Sequence, residues 1–287
     1  MEYAPNRLAR ALRFRQMNAI GLYLVGTYLD VRSPFAADIV YGIQLGCNEH
    51  GKDLLIHGTF RGSSTEDIYS ELIGGRIDGL VMVPVREDPL SVRLAESSLP
   101  VVAIADAEPN LPSVVVDDVG GTMAAVTYLA ERGHRLVYYR KGSITKSSTI
   151  RRHRAFLDSA ARYGMKVIDD IRPPNRPDGP LSDWERALLA GPVHRRPTAV
   201  VCHRDGAAYP VVDYCISIGL RVPEDIAIIG FDGFQPEITP AINLTTVRAP
   251  WVEVGRVAVD LLVKRLAGEE CPAETILPVE FVVGSTA

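Results

Sequence analysis

The chain has little that would hold a metal, close a disulfide or cross a membrane. Its four cysteines, Cys47, Cys202, Cys215 and Cys271, stand far apart, with no CxxC and no Cys/His ligand spacing. Scattered thiols in a chain this size read as buried small hydrophobes in a reducing compartment, which argues against a disulfide scaffold or a zinc module. No unbroken apolar run approaches the roughly 18 residues of a membrane span. There is no GxGxxG after the first apolar run, no GxxxxGKS/T, no GxSxG and no HExxH, and no nucleophile–base pair stands out. The expectation is a protein that binds rather than catalyses, with no cofactor and no metal.

What is present is ordinary globular material, 47% hydrophobic and 23% charged, without low-complexity tracts or solenoid repeats. At 287 residues the chain exceeds a typical single core, which predicts two lobes. The net charge is −4, yet the chain opens on YAPNRLARALRFR (residues 3–15), where Arg7, Arg10, Arg13 and Arg15 face only Glu2. A basic stretch followed by AIGLYLVGTYL resembles an export leader. Gly21 and Gly26 dilute that run, Asp30 and Arg32 end it, and no A-x-A site follows. The leader is therefore set aside and a cytoplasmic location expected.

From Ala19 onward, short apolar runs alternate with amphipathic stretches of helical length. Strands are predicted at 19–26, 53–58, 79–84 and 101–106, then at 113–117, 136–141, 198–203 and 226–231. Continuous apolar runs of this length suit parallel strands covered on both faces. Helices are predicted at 35–50, 64–75, 88–97, 119–132, 149–164, 182–190, 206–218 and 251–267, several ending on glycine as in ERGHR and RYGMK. The alternation gives an α/β fold of two doubly wound parallel-sheet lobes. The last helix and a strand at 278–283 follow both sets, so the chain returns across the lobe boundary. The expected division is 1–18 as a linker arm, 19–117 with 249–277 as one lobe, and 118–248 with 278–287 as the other. A cleft between the lobes is the expected ligand site.

Polar residues gather at the carboxyl ends of the strands. Asp232 follows IAIIGF, where a carboxylate can accept two ligand hydroxyls. Arg152 lies in RRHRAFLDSAARYG, and its fork of donors suits a polyol or carboxylate. Lys146 and Ser148 occupy the loop before that helix, Arg204–Asp205 follows TAVVCH, and Phe35 offers an apolar face for stacking. Singly, each also fits a cap or a surface ion pair. Together, at successive strand ends, they favour a binding cleft. His134, in ERGHR, reads as a structural residue of a helix-to-strand turn.

Several stretches, in order, resemble one family. They are PNRLARALR (5–13), SPFAADIVYGI (33–43), RIDGLVMVP (76–84), VVVDDVGGTMAAVTYLAERGHR (114–135), PTAVVCHRDGAA (197–208), VPEDIAIIGFDG (222–233) and LTTVRAPWVEVGRVAVDLLVKRLAGE (244–269). Along essentially its whole length the chain resembles the LacI/GalR family of bacterial transcriptional repressors. That resemblance implies a core of the periplasmic-binding-protein type I fold. Arg152 and Asp232 match the family's paired ligand contacts, Lys146 and Ser148 a cationic and a hydroxyl position of some members, and Phe35 the aromatic wall. Departures are Arg204 and Ala105, where the family often has Asn and an acid, and Ala36 in place of a second aromatic. These make the site more cationic and less aromatic than a typical sugar site. They point to a sugar or sugar derivative, with a carboxylate- or phosphate-bearing one as the favoured variant.

The basic arm resembles the family's hinge helix, which folds as dimer-related copies enter the minor groove. Asn6, Arg7, Arg10 and Arg13 match its DNA-facing side, and Leu12 its apolar wedge. Pro5 suits a first helical turn, and a helix this short is marginal alone. The family carries a helix-turn-helix of about 45 residues before this hinge, and the sequence starts at the hinge itself. As given, the chain is expected to bind its effector and dimerise, but to bind DNA weakly. Effector binding would shift lobe closure and so the hinge's grip on DNA. Two rivals remain at this point: a periplasmic-type sugar-binding protein of a transporter, and a cytosolic enzyme acting on sugars or nucleotides.

Overall fold

The computed structural model describes residues 16–24, 33–58, 63–142, 146–168, 179–234 and 242–287. The hinge residues Asn6, Arg7, Arg10, Leu12 and Arg13 lie outside them. The chain divides into two compact units, Met1–Val116 with Pro250–Leu277, and Asp117–Ala249 with Pro278–Ala287.

In the first unit, strands β1 (Ala19–Leu24), β2 (Asp53–His57), β3 (Gly79–Val83), β4 (Val101–Ile104), β5 (Ser113–Val116) and β11 (Glu274–Leu277) form one sheet. Its order is β11-β5-β4-β3-β1-β2, and every pairing in it is parallel. Strands β1, β3, β4 and β5 are buried along their full length, which is why they read as unbroken apolar runs. Helices α2 (Thr65–Ile73) and α3 (Pro89–Ala95) pack together. Leu72, Leu90 and Leu94 join Tyr23, Leu80 and Met82 in one apolar cluster. Helix α1 (Pro34–Glu49) packs along α8 (Trp251–Leu266), and α8 lies on β3, β4 and β5. That pair is drawn unusually close: a Cβ on Gly42 would fall 1.9 Å from the Val252 carbonyl oxygen, and one on Gly255 2.7 Å from that of Ile39. Only glycine admits such an approach.

The second unit repeats the plan. Strands β6 (Leu136–Arg140), β7 (Lys166–Ile168), β8 (Ala199–Cys202), β9 (Ala227–Asp232), β10 (Thr245–Arg248) and β12 (Glu280–Val282) order as β12-β10-β9-β8-β6-β7. All pairings are parallel except that of β12 with β10, the single antiparallel edge that such sheets often carry. Helices α4 (Asp118–Glu131) and α5 (Ser147–Arg162) pack on each other, while α7 (Asp205–Ser217) lies on β8 and β9. Neighbouring side chains of one strand face different helices. Tyr138 meets Trp184 of α6 (Asp183–Leu189) edge-on, and Tyr139 meets His153 and Phe156 of α5. Residues 284–286 stitch into this sheet: Thr286 Oγ1 donates to the Ile228 carbonyl at 2.7 Å and accepts from Thr245 N–H at 2.9 Å.

The sequence reading anticipates every helix just described, but not the strands β7, β10 and β11. Each is three or four residues long, too short to show a period. Cys47, Cys202 and Cys215 are buried thiols. His134 closes the α4–β6 turn, its Nδ1 3.0 Å from Thr198 Oγ1.

Candidate ligand-binding site

In the second sheet β6 lies between β7 and β8, so the strand order reverses between β6 and β8. At such a switch point adjacent connections leave for opposite faces and open a crevice beyond the carboxyl ends of the strands. The connection from β6 to α5 leaves at this end, as does that from β8 to α7.

Arg152 stands there as a buried cation. Its Nε donates to Asp118 Oδ1 at 2.7 Å, and its Nη1 donates to the His203 carbonyl at 2.7 Å and to Asp232 Oδ1 at 3.4 Å. These bonds use Nε and Nη1; the Nη2 edge carries none of them. The guanidinium carbon sits over the Phe231 ring, 3.5 Å from its centroid. Arg151 reaches the other oxygen of Asp118, with Nε at 3.0 Å and Nη2 at 2.9 Å. Asp118 is thus a fully buried carboxylate shared by two guanidinium groups.

Burial works against the Arg152 charge, but Asp118 and Asp232 outweigh it and hold its pKa above the ordinary value. Burial pushes Asp232 up to about 6, against the pull of Arg152 and Arg204. Asp205, the first residue of α7, is pushed up to about 8 by burial and by Asp232, against the hydrogen bonds it accepts from Thr246, Phe234 and Gly233.

The structure brings Arg152, Asp232 and Arg204 into one cluster. Arg204 is the N-cap residue of α7 with no capping bond from its side chain, and its charge bears on Asp232. Lys146 is the N-cap residue of α5, and Ser148, in the first turn, precedes Arg152 by one helical turn. The sequence reading starts this helix at 149; it begins at Ser147, so Arg152 sits in the second turn. Phe35 belongs to the other unit, near the start of α1, half-buried and edge-on to Trp251 with centroids 4.9 Å apart.

Sequence reasoning missed Asp118 and Arg151. The rule that found the others, polar residues at strand ends, also covers Asp117–Asp118 after β5. It missed Arg140 too, which closes β6 at the same switch point. That residue is only 3% exposed, and each of its guanidinium nitrogens is bonded. Nε donates to Glu185 Oε1 at 2.8 Å, Nη1 to the Ala207 carbonyl at 2.6 Å and Nη2 to that of Gly179 at 2.9 Å. It ties β6 to the residues around α6 and α7 through all three of its nitrogens. Among the described residues no cluster of His, Cys, Asp and Glu could hold a metal.

Two doubly wound units joined by three passages of the chain, with a polar cluster at a switch point, have the architecture of the periplasmic-binding-protein type I fold. Residues 126–287 match the sequence pattern of the periplasmic binding protein-like domain. Among curated relatives, the chain is 28% identical to the ribose operon repressor of Escherichia coli, over 93% of this chain and 81% of the relative. It is 25% identical to the HTH-type transcriptional repressor PurR of Photorhabdus laumondii, over 96% and 81% respectively. The crystal structure of a LacI family transcriptional regulator from Mycobacterium smegmatis superposes with a TM-score of 0.74 at 28% identity, covering 93% of this chain and 98% of that one. The chain belongs to the periplasmic binding protein-like family and is the effector-binding core of a LacI/GalR-type transcriptional regulator. The transporter-type reading gives way to this one, because its relatives are repressors.

Proposed function

We propose that this core binds a small polyhydroxylated effector, a sugar or sugar derivative, through Arg152 and Asp232. Arg204, Lys146 and Ser148 extend the polar contacts. The observation that carries this reading is the Arg152–Asp232 pair. A buried donor fork and a partly exposed acceptor, 3.4 Å apart, are the two halves needed to grip vicinal hydroxyls.

Charge matching bears on the kind of sugar. Arg151 and Arg152 are both bonded to Asp118, and Arg152 also to Asp232, so this inner group of two cations and two carboxylates is balanced in itself and suits a neutral sugar. Arg204 and Lys146 stand outside that group, and they are the cations a carboxylate- or phosphate-bearing ligand would have to use. The kinship to a ribose operon repressor supports a pentose or hexose. Calorimetric titration with D-ribose, other neutral monosaccharides and D-gluconate tests this. Neutral sugar binding that is abolished by Arg152→Ala is expected; binding of gluconate alone would reverse the assignment.

Effector binding then biases the regulator between states of different DNA affinity. The coupling runs through the basic arm, with Asn6, Arg7, Arg10 and Arg13 on phosphates and sugars and Leu12 as a wedge in the minor groove. Two copies of the chain form the working unit, as a hinge entering DNA in pairs requires. Sedimentation equilibrium should give twice the chain mass. A non-enzymatic role is supported by kinship to repressors, and among the described residues no helix is long and apolar enough to cross a membrane.

A further inference from the structure

Asp205 is 1% exposed and opens α7, yet it makes no capping bond to its own helix. Its Oδ2 accepts the N–H groups of Gly233 at 2.7 Å and Phe234 at 2.6 Å, and its Oδ1 accepts Thr246 Oγ1 at 2.6 Å. Those two N–H groups follow a pair of left-handed residues, Asp232 at φ 111° and Gly233 at φ 88°. Successive N–H groups in such a turn converge on one point and form a nest for an anion. Here the acceptor in the nest is a side chain of the same unit, Asp205. Strand β9 is shaped to admit it: a Cβ on Gly230 would lie 2.1 Å from Asp205 Oδ1.

The positive φ of Asp232 matters because a non-glycine residue holds it only when its surroundings impose it. The nest is what imposes it. All three partners donate to this one side chain, so an alanine at 205 would leave the Gly233 and Phe234 N–H groups and the Thr246 hydroxyl without that acceptor. The groups facing Asp232 are Arg152, Arg204, Asp118 and Asp205, and Asp205 is bonded to the turn that carries it.

We propose that Asp205 is a positioning residue of the effector site. It locks residues 232–234 in the turn that aims the Asp232 carboxylate at Arg152, and so sets effector affinity without touching the effector. This rests on the sugar-binding reading above for its functional consequence, but not for its geometry.

The test combines NMR of the full chain, labelled at aspartate 13Cγ and at glycine and phenylalanine 15N, with calorimetry using D-ribose as the neutral-sugar probe. In the wild type, the Gly233 and Phe234 amides should titrate together with the Asp205 carboxyl; amides that ignore it overturn the proposal. In Asp205→Ala, those amides should exchange with solvent at least about tenfold faster. The Asp232 carboxyl should also change its titration midpoint, and sugar affinity should fall at least about tenfold. Unchanged sugar affinity with displaced amides makes Asp205 a fold residue only and overturns the positioning role. If Asp205→Ala does not fold, the wild-type titration decides. If no neutral sugar binds the wild type, the sugar reading fails, while the amide and Asp232 signals still decide the positioning.

Discussion

Arg152 and Asp118 meet end-on, Nε to Oδ1 at 2.7 Å, with side chains 7% and 0% exposed. A guanidinium held by Nε has its planar fork fixed in direction, and Asp118 is what fixes it. A ligand therefore meets a donor whose orientation was settled on folding, which lowers the ordering cost of binding.

Removing one side of such a pair leaves the other charge buried. Arg152→Met should cost about 3 kcal/mol, the low end for a broken buried pair because Arg151 still neutralises Asp118. Urea denaturation measures it, and Asp118→Asn in the same chain should recover part of the loss. A cost under about 1 kcal/mol would mean that the pair behaves as a surface one.

Arg140 makes a contrasting case. Its three nitrogens are all engaged within the unit, so Arg140→Met should destabilise by about 3–5 kcal/mol through the stranded Glu185. The folded fraction should keep wild-type sugar affinity. A variant that folds normally but loses the sugar would move Arg140 into the binding site.

Acidity should separate Asp205 from the rest of the chain. Its pKa is raised on folding from an ordinary carboxylate value to about 8, so between about pH 4 and pH 8 the folded state keeps a proton that the unfolded chain has lost. Stability from this group is then fully present below that window and is lost as pH rises through it. His57 and His134, held low by burial, act in the opposite sense. The comparison to make is therefore the wild type against Asp205→Asn by calorimetry. The thermal advantage of the wild type should shrink by at least about 4 °C from pH 5 to pH 8; a constant difference would mean that Asp205 titrates normally.

Close packing of α1 on α8 gives a prediction remote from any ligand. Gly42→Ala puts a methyl group 1.9 Å from the Val252 carbonyl oxygen, and backbone must shift, at a cost of about 1–3 kcal/mol. Gly58→Ala, with nothing within 4 Å of the added atom, is the control and should be nearly neutral in the same denaturation series.

Arg204 tests the ligand class. If the site is charge-balanced, Arg204→Ala should leave neutral-sugar affinity within about threefold, under 1 kcal/mol. Loss of binding to an acidic sugar alone would restore the cationic reading.

Much of this was legible in the residues, for identifiable reasons. Strands such as β3 and β4 are buried on both faces and spell themselves out as GLVMV and VVAI. Asp232 and Arg204 were legible as polar groups at the ends of such runs. Asp118 was not, because two adjacent aspartates end β5 and sequence does not tell their tasks apart. In the structure Asp117 caps its own helix through the Gly120 N–H at 2.7 Å, while Asp118 turns inward to the arginines. Arg140 looked like the end of a strand; its burial depends on carbonyls 39 and 67 residues away, and no local pattern carries that. The nest at Gly233–Phe234 is likewise a fact of backbone dihedrals, of which the sequence shows only the glycine.

The interleaving of the two units sets the order in which they can form as the chain emerges from a ribosome. Strand β11 completes the first sheet and β12 the second, and both are made after every other strand. Thr286, which bonds β9 and β10, is made later still. During synthesis both sheets therefore stand open along one edge at once, with β5 and β10 unpaired on that side. A slow ribosome would prolong the period in which these edges can pair with a neighbouring nascent chain.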